Sequence, residues 1–166
     1  MKYFRIVLPF AFLMLISLKS FSQEKKNAVT LEVLGKSIFF FDVNYARYLT
    51  EKFQVGVGIG LADVAKLTYV DETVTRFDFR IPIYGSYAFS TKRRHLVSEF
   101  GITMGGYADS KIGTNLEGVV PFVSIGYEVK GENYVFRVPI YLMYAGENEF
   151  FSAVIPWVGV SLGRLF

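Results

Sequence analysis

The feature that most constrains this chain is a two-residue rhythm that sets in at Ala28 and persists to the last residue. It is clearest from Phe53 to Leu61, where Phe53, Val55, Val57, Ile59 and Leu61 alternate with Gln54, Gly56, Gly58 and Gly60. Successive side chains of a β-strand point to opposite faces, so this stretch is a strand with one apolar face and one small or polar face. Seven further stretches carry the signature: Ala28–Gly35, Ile38–Leu49, Val74–Phe89, His95–Tyr107, Val119–Lys130, Tyr134–Ala145 and Phe151–Phe166. Polar turns separate them. Glycine at every second place weakens a strand unless space behind it is scarce, which directs the Gly56, Gly58 and Gly60 face into a narrow, filled interior. These glycines do not make a phosphate loop, because the period runs straight through them and no helix follows.

Composition indicates which medium the apolar faces meet. Of 166 residues, 52% are hydrophobic and 17% aromatic, with only 20% charged. That is more apolar surface than one soluble core of this size needs. Beyond the amino terminus no apolar run approaches the roughly 18 residues of a membrane-spanning helix. Strands cross a bilayer only as a closed barrel, since lipid satisfies no free backbone group. The sequence therefore predicts an all-β fold, an eight-stranded antiparallel up-and-down transmembrane β-barrel, occupying residues 23–166 as one domain. Eight strands is the size whose lumen side chains can fill.

Residues 1–22 have another character. Lys2 and Arg5 precede the apolar Ile6 to Leu18, and small residues follow at Ser20 and Ser22. This is the layout of a secretory signal peptide, cleaved near Ser22 and before Gln23. Three of the 18 basic residues, Lys2, Arg5 and Lys19, lie in it and none of the 15 acidic ones does, so the remainder carries 15 of each. A neutral chain offers no argument for nucleic acid. The chain has no cysteine, which excludes disulfides, thiol catalysis, cysteine-based metal sites and a lipid anchor on a new terminal cysteine.

The connections support the strand count. In a barrel with both termini in the periplasm the inner turns are short and the outer loops long. The turns at Thr50, Ser90 and Gly131 are short, and the polar connections Ala62–Thr73 and Ala108–Gly118 fall outside; Gly35-Lys36-Ser37 is expected to turn tightly into the second strand. Aromatic residues fall into two belts, with Tyr45, Tyr48, Tyr87, Phe89, Tyr127, Tyr134 and Phe166 near the periplasmic ends and Phe39, Tyr107, Tyr144, Phe150 and Phe151 near the outer ends. Bilayer interfaces select such belts. Phe79-Arg80-Ile81-Pro82-Ile83-Tyr84 and Phe136-Arg137-Val138-Pro139-Ile140-Tyr141 nearly repeat. They fall on strands that run in opposite directions, so they share a strand grammar and are not a duplicated hairpin.

With apolar faces toward lipid, the opposite faces enclose Glu32, Asp42, Arg76, Asp78, Arg80, Glu99, Glu128 and Arg137. Charges so confined must pair or stay hydrated. A plug of salt bridges is the expected arrangement, with a narrow path for ions or small solutes as the alternative. Wide channels need about 16 strands or more. No enzyme is expected. His95, Ser98 and Glu99 offer the residue types of acyl transfer, but on a strand Ser98 faces away from the other two. No His, Asp and Glu grouping has metal-ligand spacing, and no cofactor is implied.

The final strand ends flush on Phe166, which resembles the carboxyl-terminal assembly signal of bacterial outer-membrane barrels; Arg164 departs from it, since an apolar residue is usual there. With the signal peptide, eight alternating segments and inward glycines and charges, Ala28 to Phe166 resembles the small outer-membrane proteins of the OmpX type and the transmembrane domain of outer-membrane protein A. The resemblance implies the outer membrane of a Gram-negative bacterium, contact with its lipid, insertion by the barrel-assembly machinery and a structural or surface-interaction role. Extracellular partners are then expected at residues 62–73 and 108–118. The remaining alternative, a secreted soluble barrel holding an apolar ligand, requires the apolar faces to point inward.

Overall fold

The computed structural model describes residues 26–37, 41–69, 72–109, 113–144 and 154–166. The expected signal peptide and the expected belt residues Phe39, Phe150 and Phe151 lie outside the described residues. Within them the regular elements are strands: β1 (Asn27–Val33), β2 (Phe41–Tyr48), β3 (Phe53–Tyr69), β4 (Glu72–Ala88), β5 (Arg94–Asp109), β6 (Gly113–Lys130), β7 (Tyr134–Tyr144), β8 (Val154–Val158) and β9 (Val160–Leu165). From β1 to β7 each strand pairs antiparallel with the next. β9 returns to β1, from Ala28↔Leu165 to Val33↔Val160, and closes the sheet.

β8 and β9 together form one wall strand. Their register against β7 runs without a slip from Tyr134↔Arg164 to Tyr144↔Val154. The break falls at Gly159, opposite Pro139. Gly159 N–H donates to the Pro139 carbonyl at 3.0 Å, and proline has no N–H to return. The fold is a closed eight-stranded antiparallel barrel.

The rhythm of the sequence sorts the side chains between the two faces of this wall. Ile59 is 62% and Leu162 59% exposed on the outside, whereas Glu32 is 1% and Asp42 0% exposed on the inside. Such an exterior suits hydrocarbon and a polar, packed interior; the soluble alternative needs the opposite sorting. The glycine face of β3 makes room for that interior. A Cβ on Gly56 would run into the Tyr84 ring, one on Gly58 into Asn44 and one on Gly60 into Ser37.

The outer connections differ from expectation. Of residues 62–73, those described are strand: β3 and β4 stay paired out to Tyr69↔Glu72, past a bulge between Leu61 and Asp63. The described residues of 108–118 are likewise strand, with β5 and β6 paired out to Asp109↔Gly113. A bulge interrupts that ladder beside Gly118, whose φ of 68° is left-handed backbone open to glycine. These four strands run to 17, 17, 16 and 18 residues, against the roughly 9–11 that cross a bilayer. Above the lipid a ladder needs no apolar face, so its polar sequence resembles a loop.

Two neighbours on β3 test the sorting. Val57→Arg should cost about 2–4 kcal/mol by placing a charge in hydrocarbon. Gly56→Ala should cost about 1–3 kcal/mol by overfilling the lumen against Tyr84. Urea unfolding of the barrel in lipid vesicles measures both.

Candidate functional site

The interior is crossed by a network built on two cations. Arg137, on β7, donates through Nε to Glu128 Oε2 at 2.8 Å, again through Nη2, and through Nη1 to Glu99 Oε1. Lys36, which follows β1, is 2% exposed. Its ammonium pairs with Glu32 and lies 3.4 Å from Glu99 Oε2, with the Tyr84 ring centroid at 4.5 Å. The Tyr141 hydroxyl stands between Glu32 and Glu99, 3.0 Å from Glu99 Oε2. Asp42 accepts from the Ser37 backbone N–H at 3.2 Å and from Asn44 Nδ2. At the edge of the barrel nearest the termini His95 Nδ1 lies 2.7 Å from the Lys92 carbonyl, and Nε2 faces Glu128 Oε1 at 3.1 Å.

Local chain geometry delivers Lys36 to this place. Leu34 has φ of 53°, which turns the chain back on itself after β1. Glycine at the next position leaves room for the Glu32 side chain, which a Cβ on Gly35 would displace. Thr103 Oγ1 on β5 then donates to the Lys36 carbonyl at 2.9 Å. The expected tight turn at Gly35-Lys36-Ser37 is therefore an inward tuck, with Lys36 and Ser37 buried in the lumen.

Of the charges expected inside, Glu32, Asp42, Glu99, Glu128 and Arg137 come together. Arg76, Asp78 and Arg80 do not join them, because β4 runs downward and carries these residues near its outer end. Arg76 Nε donates to Asp78 Oδ1 at 2.7 Å, and its guanidinium lies 4.0 Å from the Tyr107 ring centroid. Arg80 has no described partner in the network. Lys36, Asn44, Tyr141 and His95 were not expected in it. The signal for a further cation lay in the charge count, since Glu32, Asp42, Asp78, Glu99 and Glu128 outnumber Arg76, Arg80 and Arg137.

Two belt assignments also change. Tyr48 points into the lumen at 8% exposure, and Tyr107 shares the inward face of Arg76 and Asp78. Tyr87 and Phe89 remain outside, edge to face with ring centroids 5.7 Å apart, and Tyr127, Tyr134, Tyr144 and Phe166 are exposed. Phe166 is tied by its backbone N–H to the Asn27 carbonyl at 2.9 Å and its carbonyl accepts from Asn27 N–H at 3.0 Å. Of the three residue types of acyl transfer, His95 and Glu99 face the lumen and Ser98, on the alternate face, does not.

No family model matches the chain, and no curated protein matches it by sequence. Among solved structures, the fold is similar to the crystal structure of the N-terminal β-barrel domain of Pseudomonas aeruginosa OprF. The TM-score is 0.59 at 10% identity, over 86% of this chain and 98% of that one. The crystal structure of Ail, the attachment invasion locus protein of Yersinia pestis, in complex with the heparin analogue sucrose octasulfate, aligns at a TM-score of 0.44 and 10% identity, over 85% of this chain and 94% of that one. At this identity the OprF likeness is one of fold, and it matches the closed barrel described above.

The network's two layers differ in consequence. Arg137→Ala strands Glu99 and Glu128 without a guanidinium and should cost about 3–5 kcal/mol. Arg137→Lys should recover only part of this, since an ammonium cannot reproduce the fork that serves both acids. Arg76→Ala removes a pair whose side chains are 30% and 28% exposed and should cost about 1 kcal/mol or less. Denaturant midpoints of the folded barrel separate the three.

Proposed function

We propose that the protein is a β-barrel of the Gram-negative outer membrane with a structural or surface-interaction role, its lumen sealed by the Arg137 and Lys36 network, and that it catalyses no reaction. The observation that carries this reading is the inverted sorting of the wall, with aliphatic side chains outside and paired charges within. On this reading residues 1–22 are a signal peptide cleaved near Ser22. The strand ending at Phe166 engages the barrel-assembly machinery, and outer-membrane lipid covers the aliphatic belt. β3, β4, β5 and β6 extend well beyond the length needed to cross lipid, which favours the stretches 62–73 and 108–118 as the contact surface for an extracellular partner.

The seal has a stated basis. Arg137 and Lys36 link carboxylates from β1, β5 and β6 across the barrel, so a passing ion must break these buried ion pairs.

Gel mobility of the outer-membrane fraction and planar-bilayer recording test the reading together. A membrane-bound band that shifts on boiling is expected, with no stepwise current from the purified protein. A soluble, unshifted band would defeat the membrane assignment. Steady single-channel steps from a shifting band would instead replace the plug with a narrow pore.

A further inference from the structure

The network leaves a blind cup of about 1220 Å³ at the end of the barrel where the termini and short turns gather. Its lining includes Lys26, Tyr48, Lys92, Arg93, His95 and Lys130. Glu51, Glu128 and Glu132 also reach it, but Glu128 is engaged by Arg137. Four fixed cations then stand against Glu51 and Glu132, and a recess with low-dielectric walls concentrates the positive field they make.

A second observation lies in the wall of the cup. Tyr48 is 8% exposed, and its hydroxyl is buried with no hydrogen-bond partner. Buried polar groups are nearly always satisfied, so such a hydroxyl calls for an acceptor. The Lys130 ammonium lies 3.8 Å from the centroid of the same Tyr48 ring. A hydroxyl donor beside a held ammonium suits an acceptor that is charged and carries several oxygens, because charge-assisted hydrogen bonds are the stronger kind. A neutral solute would leave the cationic excess unanswered, and a metal cation would be repelled by it.

We propose that this cup binds a small multivalent oxyanion of the phosphate type, with the Tyr48 hydroxyl and the Lys130 ammonium as its recognition pair. The proposal rests on the outer-membrane reading only for the side of the membrane that the cup faces. Phosphate oxygens reach the cup either from a soluble anion or from the headgroup of a neighbouring lipid.

The test is calorimetric titration of the full chain, folded in zwitterionic micelles at low ionic strength, with inorganic pyrophosphate. Saturable binding is expected, weakened about tenfold by Tyr48→Phe and by Lys130→Gln, the scale of one hydrogen bond to a charged group. Absence of saturable binding overturns the proposal. So does binding that Tyr48→Phe leaves unchanged, which would mean a diffuse basic rim. If Tyr48→Phe fails to give a heat-shifted band, the Tyr48 ring resonances of the unaltered protein decide: they move on saturation, or the proposal fails. Phosphatidylglycerol doped into the micelles displaces pyrophosphate where the headgroup is the source and leaves it bound where the anion is soluble. Because the titration is done in micelles, its outcome is independent of where the barrel resides in the cell.

Discussion

A strand that crosses hydrocarbon must find a partner for every backbone N–H and C=O within the protein, and this requirement governs the rest of the molecule. It is met when β9 returns to β1 between Ala28↔Leu165 and Val33↔Val160. Closure leaves each strand one lipid face and one lumen face, so a two-residue period becomes an inside-out protein. It also explains why the interruption at Gly159 is tolerated. The missing donor there belongs to Pro139, and Gly159 still donates to the Pro139 carbonyl.

Closure in turn confines charge. Carboxylates at Glu32, Asp42, Glu99 and Glu128 are each nearly without solvent exposure, and the wall supplies them one guanidinium, that of Arg137. The second cation comes from outside the wall, by a turn with left-handed backbone at Leu34 and no side chain at Gly35. The outer rim is uneven as a result. After β1 the chain gives up Lys36 and Ser37 to the lumen, while β3–β4 and β5–β6 continue their ladders past the bulges.

The parts legible in the sequence were those in which one physical rule acts alone. Lipid on one face and packing on the other leave only one alternation, so Phe53 to Leu61 announced both its faces and its glycine stripe. Where lipid ends, that rule lapses. The stretches 62–73 and 108–118 are polar in sequence, and nothing local distinguishes a solvated ladder from a loop. The charge count called for a further cation without saying which; Lys36 was hidden because, apart from Glu32 four residues before it, its surroundings are Glu99, Tyr84 and Tyr141, brought to it by closure. Tyr48 and Tyr107 were misplaced because the aromatic residue type suggests an interface, whereas the face is set by parity along the strand.

The two near-identical hexapeptides show how far direction outweighs local sequence. Arg80 and Arg137, Pro82 and Pro139, Tyr84 and Tyr141 occupy equivalent places in Phe79–Tyr84 and Phe136–Tyr141, and all face the lumen. β4 descends and β7 ascends, so the same words are set at opposite heights. Arg137 enters low, among Glu99 and Glu128, and Tyr141 lies above it between Glu32 and Glu99. Arg80 enters high, above that ring of acids, and Tyr84 lies below it against Lys36. The two tyrosines therefore flank the same ammonium from opposite walls, with ring centroids 4.5 and 5.6 Å away. Only one of the two arginines reaches the carboxylates. With Arg137 alone at that level, Lys36 supplies the cation that Glu32 pairs with. The inward tuck after β1 is thus the counterpart of the direction in which β4 runs.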